Sequence, residues 1–410
     1  MIDKVNNISF GARIADIPKV IHGTVEKNFL PKLNMRGYTA IIGADVYTPS
    51  NKIVRQDLLF YNNKLVAVDD YNPSKINSAV QYIILDEKTV APAVIDQHIH
   101  GGYGVSFHTS DEGAIRDLLK RFAKDGIGGV VATTLPGKLQ DIKMQLKVLN
   151  RIIKNPDRRA AKLLGIHLEG PFLSPKKAGI HPPEMFSAPT IENFLKLEPE
   201  NVKIVTVAPE LDEGYELSRY LKSKGIVVSA GHSMASAQQV SDSGASQVTH
   251  IFNAMAPFHH RTPTIANEGL LNPKIAAEMI GDTSHLDPQT MDLIMKEKPK
   301  DKLILISDAL PNAGKKEDFL MNGIEIHVDD NWVAKSDDGV LAGNMQFLPN
   351  VAKKLIDKTT MTFRDFVRYS SVNPAKNLKV KEQFTIREGL KPTFTVWDNK
   401  TVAPEKTFIS

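Results

Sequence analysis

From Val94 onward, short apolar, β-branched runs alternate with longer segments whose apolar residues recur at helical spacing. The runs at 94–97, 129–133, 162–167, 202–207, 226–229, 246–250, 274–280 and 302–307 read as strands. The segment "SDEGAIRDLLKRFAKDG" is typical of what lies between them: Ser110 or Asp111 caps its start, its apolar residues share one face, and Gly126 ends it. Eight strands alternating with helices suggest an α/β protein whose residues 93–375 form a (β/α)8 barrel of the TIM type. Element order alone also permits an open, doubly wound sheet.

The flanks carry a different pattern. Residues 37–92 are rich in short β-type runs such as "YTAIIGADVYT" and "DLLFYNNKLVAVDD", and the tail over 376–410 returns to that pattern. Both chain ends are therefore expected to pair into one small β-sandwich domain. Residues 1–36 lack clear periodicity and read as an N-terminal extension of unassigned structure.

Composition narrows the function classes. The chain has 410 residues, 42% hydrophobic and 24% charged, which suits a globular protein with a sizeable core. Lys and Arg total 51 against 47 Asp and Glu, a balance of +4 that is too mild for a nucleic-acid partner. No run reaches the roughly 18 apolar residues a membrane span needs. The N-terminus lacks the continuous apolar stretch of a signal peptide. Cysteine is absent, so any metal must be held by His, Asp and Glu, and a cytoplasmic location fits.

In a (β/α)8 barrel the side chains that do chemistry sit at the C-terminal ends of the strands. His98 and His100 follow the first strand, within "VIDQHIHGGYG". Glu169 follows "KLLGIH", His232 follows "IVVSAG", His250 closes "SQVTH", and Asp308 follows "KLILIS". Each alone has an ordinary structural reading as a hydrogen-bonded residue. Together they place six ligand-type side chains at five strand ends, around one mouth. Imidazole and carboxylate suit a divalent transition metal, with zinc or iron first and manganese, cobalt or nickel as alternatives. Alternate residues of a strand point to the same side, so His98 and His100 can converge on one ion. A carboxylate such as Glu169 can bridge two, and a water on such an ion loses its proton near neutral pH.

The motifs "VIDQHIHGGYG", "GIHLEGPFLSPKKAGIHPP", "SAGHS", "THIFNAMAPFHHR", "ISDA" and "LAGN" occur in order. In this the chain resembles the N-acetylglucosamine-6-phosphate deacetylases of the amidohydrolase superfamily, over roughly residues 38 to 400. The resemblance implies that Glu169, His232 and His250 are the core metal ligands. It implies that His98 and His100 complete a second metal position, so one or two ions per subunit are expected. Asp308 matches the catalytic acid/base. Ile180, His181, Asn253, Ala254, Arg261, His285, Leu341, Ala342 and Gly343 match substrate-contacting positions. The implied partner is a phosphosugar, and the implied assembly is a homodimer.

These roles are chemically sensible. An acetamide is a poor electrophile and needs a strong nucleophile, a polarised carbonyl and a protonated leaving amine. His181 can stabilise the developing oxyanion. Asp308 can take a proton from water and return it to the amine. Arg261 offers a fork of N–H donors suited to a phosphate, with His259 and His260 beside it. Three residues depart from the family pattern: Thr264 and Thr283 stand at glycine positions, and Asn344 replaces a serine. They bear on the choice of sugar, and N-acetylgalactosamine 6-phosphate is the alternative substrate. Another barrel amidohydrolase, or a scaffold that has lost its chemistry, are the remaining classes. Glu169 at the usual carbamylated-lysine position counts against the first, and the complete ligand set against the second.

Overall fold

The computed structural model describes residues 26–27, 37–69, 80–321 and 324–410. Apart from the short strand Glu26–Lys27, the expected N-terminal extension lies outside the described residues.

Eight parallel strands form the core: β1 (Val94–Ile99), β2 (Ile127–Thr134), β3 (Lys162–Glu169), β4 (Val202–Val207), β5 (Val227–Ala230), β6 (Gln247–Val248), β7 (Ala276–Ile280) and β8 (Leu303–Ile306). Each pairs with the next in sequence order. The last meets the first just past its formal end: the Asp308 N–H donates to the His98 carbonyl at 2.9 Å, and the His100 N–H donates to the Ala309 carbonyl at 2.9 Å. The sheet is thus a barrel, and the doubly wound alternative falls. Closure is made by the same residues that carry the site.

The amphipathic segments fold as helices against the outside. In Glu112–Lys124 the Asp111 side chain accepts the Ala114 N–H at 2.9 Å, and Ile115, Leu118, Leu119 and Phe122 are buried. An apolar stripe at this spacing turns one face of a helix to the barrel.

Both chain ends share one mixed sheet. Its long strand Tyr38–Tyr47 pairs with Val80–Ile84 over its first half and with Lys88–Pro92 over its second, and Phe394–Asp398 then pairs with Lys88–Pro92. The turn-over falls at Gly43, whose φ is 75° and whose N–H is held by Asp57 Oδ1 at 2.8 Å. Residues from both halves (Ile41, Val46, Phe60, Val90, Phe394) pack in one apolar cluster. Under the barrel, Leu378 and Phe384 pack with Ile95, Val131 and Ile204.

A four-stranded antiparallel sheet (Phe319–Met321, Ile324–Val328, Val333–Ser336, Leu341–Asn344) is inserted after β8. Strand–helix alternation gave no sign of it. Its last strand returns to the barrel mouth, where the Asn344 N–H donates to the Asp308 carbonyl at 3.1 Å.

Candidate metal centre and active site

β1 ends at Ile99, and the backbone turns sharply through Gly101, whose φ is 156°. A Cβ there would lie 2.1 Å from the Val105 carbonyl oxygen, so only glycine fits. The strand therefore stops where His98 and His100 can both look into the mouth.

They meet two carboxylates there. His98 Nε2 lies 3.2 Å from Glu169 Oε1 and 3.3 Å from Asp308 Oδ1. His100 Nε2 lies 3.1 Å from Glu169 Oε2 and 3.3 Å from the same Asp308 oxygen. On the other side of Glu169, Oε1 is 3.3 Å from His232 Nε2 and 3.1 Å from His250 Nε2, and those two nitrogens are 3.0 Å apart. The ligand atoms fall into two sets with metal-holding geometry, His98–His100–Glu169–Asp308 and Glu169–His232–His250. Glu169 belongs to both. All six sequence-derived ligands are brought together.

The backbone is strained to achieve this. His232, His250 and Asp308 hold φ of 46°, 30° and 52°. That left-handed region is disfavoured for residues with a Cβ, and such strain persists where a site demands it.

The donor set fits a divalent cation. His232 Nδ1 donates to the Lys177 carbonyl at 2.8 Å, which leaves its Nε2 lone pair facing Glu169 and His250. His98 Nε2 is buried with no hydrogen-bond partner. Lone pairs and carboxylate oxygens packed at about 3 Å repel one another unless a cation lies among them. Burial alone would raise the Glu169 carboxyl, yet the surrounding imidazoles of His98, His100, His181 and His232 hold it well below the usual carboxylate range. Burial would also raise Asp308, and His98 and His100 hold it low.

A cavity of about 400 Å³ opens above this cluster. Of the expected substrate contacts, Ile180, His181, Asn253, Ala254, His285, Leu341, Ala342 and Gly343 all line it. Arg261 is exposed on the loop before helix Ile265–Leu271 and is not among the lining residues. His259 Nδ1 accepts the N–H groups of Arg261 and Thr262 at 3.3 and 2.9 Å, so this histidine shapes the loop. Asp308, with 15% of its side chain exposed, is more open to solvent than Glu169 at 2%. That suits a group that exchanges protons with a bound molecule.

Two of the three sequence departures have local reasons. Thr264 starts helix Ile265–Leu271, and its N–H donates to Asn267 Oδ1 at 3.0 Å. Asn344 Nδ2 donates to the Ser307 and Gln346 carbonyls at 3.1 and 2.9 Å, tying the inserted sheet to the end of β8. Thr283 sits at φ 63°, where glycine is at ease.

Sequence reading missed a buried layer beneath the candidate metal ligands. Glu278 on β7 is fully buried, and its Oε2 lies 3.1 Å from His98 Nδ1. Its Oε1 accepts from Gln97 Nε2 at 2.7 Å and Gln247 Nε2 at 2.9 Å. The available signal was a lone charge inside the apolar run "AAEMI". Asp282, 2.6 Å from His285, was also missed.

The comparisons with known proteins agree with this geometry. The model of the amidohydrolase family matches residues 89–410. An N-acetylglucosamine-6-phosphate deacetylase of Bacillus subtilis is 34% identical over 72% of this chain and 76% of its own length. An N-acetylgalactosamine-6-phosphate deacetylase of Escherichia coli O157:H7 is 30% identical over 72% of this chain and 79% of its own. The crystal structure of N-acetylglucosamine-6-phosphate deacetylase from Pasteurella multocida superposes with a TM-score of 0.81 at 26% identity, covering 91% of this chain and 98% of that one. The chain belongs to the amidohydrolase family, and within it to the N-acetylglucosamine-6-phosphate deacetylases that its motifs resemble.

Proposed function

We propose that this protein hydrolyses the acetamide of N-acetylglucosamine 6-phosphate to glucosamine 6-phosphate and acetate. The observation that carries the reading is Glu169, shared between two histidine pairs, with Asp308 beside it at the floor of a sugar-sized cavity.

His98, His100, Glu169, His232, His250 and Asp308 would hold one or two divalent ions, zinc or iron first. A bound ion there supplies Lewis acidity and hydroxide at neutral pH. The chain's own residues do the rest. His181 lines the cavity with its Nε2 3.7 Å from Glu169 Oε2, placed to donate to the acetamide oxygen as negative charge develops. Asp308 takes the proton of the attacking water and returns it to the amine nitrogen as the C–N bond breaks. Asn253 and the Leu341–Gly343 stretch shape the wall around the sugar, and His285 brings positive charge. Arg261 would reach for the phosphate from its exposed loop.

Release of acetate from the gluco and galacto phosphosugars by metal-replete protein tests the reading. No turnover of either overturns it. Faster turnover of the galacto compound favours a second reading, which the likeness to the E. coli N-acetylgalactosamine-6-phosphate deacetylase supports. The reading carries with it a cytoplasmic homodimer and a small sheet domain built from residues 37–92 and 376–410. Among the described residues no helix is long and apolar enough to cross a membrane.

A further inference from the structure

We propose that Glu278 is the positioning residue of the His98–His100 metal site, and that through His98 it determines whether the centre holds its second ion. The inference rests on the metal reading above.

The two ligand sets are anchored differently. In the Glu169–His232–His250 set, the fixed imidazole is His232, held by a neutral backbone carbonyl. In the other set it is His98, held by a buried carboxylate. The second imidazole of each set, His100 or His250, has a buried Nδ1 with no partner. Each set therefore depends on one anchored ring.

The hydrogen-bond network fixes which way protons point. Asn377 Nδ2 donates to Gln97 Oε1 at 3.1 Å and to Gln247 Oε1 at 2.8 Å. Gln97 Nε2 donates to Gln247 Oε1 and to Glu278 Oε1, at 3.0 and 2.7 Å. Gln247 Nε2 donates to Glu278 Oε1 and to Ser229 Oγ, at 2.9 and 3.2 Å. Both glutamine amides thus spend a hydrogen on Glu278, which receives and does not give. With Oε1 taken up by both amide donors, Oε2 is the oxygen left to His98, and the bond there runs from Nδ1–H to Oε2. In the neutral, ligand-ready form of His98 the lone pair then falls on Nε2, the atom that faces Glu169 and Asp308. A carboxylate behind the ring also makes it a stronger base than a carbonyl does.

Removing such a partner typically weakens metal binding about 10- to 100-fold. Glu278→Gln keeps the shape of the side chain and removes the charge. The test titrates Zn²⁺ into metal-free parent, Glu278→Gln, and a His98→Ala control, with a competing chelator, and counts ions by plasma emission. Expected for the parent are two ions. Expected for Glu278→Gln is one ion at parental affinity and a second weakened about 10- to 100-fold. His98→Ala should lose that same second ion. Thermal unfolding of the metal-free proteins separates positioning from scaffolding: positioning predicts a selective loss at one site, whereas general loosening would weaken both. Two ions bound by Glu278→Gln with parental affinities overturn the proposal and leave the metal reading standing. A parent that takes only one ion, unaffected by His98→Ala, overturns the proposal and leaves a one-ion metal reading standing, whereas a parent that takes none overturns both.

Discussion

His285 Nδ1 lies 2.6 Å from Asp282 Oδ2, and Asp282 Oδ1 accepts the N–H groups of Ser284 and His285 at 2.8 and 2.9 Å. The turn after β7 is thereby folded around its own carboxylate. Burial would lower the His285 pKa, but Asp282 holds it raised. Burial would raise the Asp282 pKa, but His285 holds it lowered. His285 is thus biased toward its charged form at the wall of a cavity whose floor is acidic.

The pH dependence follows from the signs. The raised histidine contributes stability that is complete below its ordinary pKa of 6.5 and lost as pH rises through the folded value. The lowered aspartate contributes stability present above its ordinary 3.8 and lost as pH falls through the folded value. Asp282→Asn should therefore destabilise most between those two values, and the gap from the parent should narrow on the alkaline side. It should also raise KM for a phosphorylated substrate about tenfold, the scale of one charge-assisted contact. Melting curves from pH 4 to 9, with KM at two pH values, check both. A gap that stays constant with pH would mean the pair is not ionised.

Asp308→Asn should lower kcat by on the order of 10²–10⁴-fold, the range for loss of a general acid/base. Asparagine keeps an oxygen for the Nε2 side of the mouth, so substrate binding should survive. Paired measurements of kcat and metal content separate proton transfer from ligation. A rate within a few-fold of the parent at normal metal content would exclude Asp308 as the proton carrier.

Much of this was legible before any coordinates. The barrel strands declare themselves as apolar runs, five of them with His, Glu or Asp at or just past the end, because a strand buried on both faces has no polar side. The candidate ligands were legible for the same reason: a polar side chain at the end of such a run is either partnered or functional. Glu278 was not, since its meaning depends on the side-by-side pairing of β7 with β8 and on reaching across the barrel to β1, which no single segment encodes. The inserted sheet was missed because runs such as "IEIHV" and "VAKS" are too short to stand out from loop. Arg261 was legible as a phosphate-type side chain, but its exposure outside the cavity lining was not.

Thr283 occupies a left-handed φ of 63°. That conformation costs an L-residue roughly 1–2 kcal/mol. Glycine removes the strain but loses about 0.4–1 kcal/mol through the freer unfolded chain. Thr283→Gly should come out more stable by about 0.5–1 kcal/mol on that balance. Urea unfolding read by fluorescence checks the sign. A lower midpoint at unchanged slope would show that the threonine side chain makes contacts outweighing its strain.

Glu169 is the one carboxylate common to both ligand sets, so its loss should differ in kind from loss of either histidine pair. Replacing His98 and His100 together by Ala removes two of four donors from one set and none from the other. Replacing His232 and His250 does the converse. Each double variant should lose about one ion per chain, and the two should keep different ones. Glu169→Gln removes the charge that both ions face, and each set then retains only weakly organised ligands. It should lose both, and acetate release should fall below detection. Some activity can survive in the His98/His100 variant, because one hydroxide source still suffices to attack an amide. Metal counts by plasma emission on the three variants, beside the parent, decide the matter. If Glu169→Gln holds as many ions as either double variant, Glu169 does not bridge. The two sets would then be independent sites that happen to share a wall.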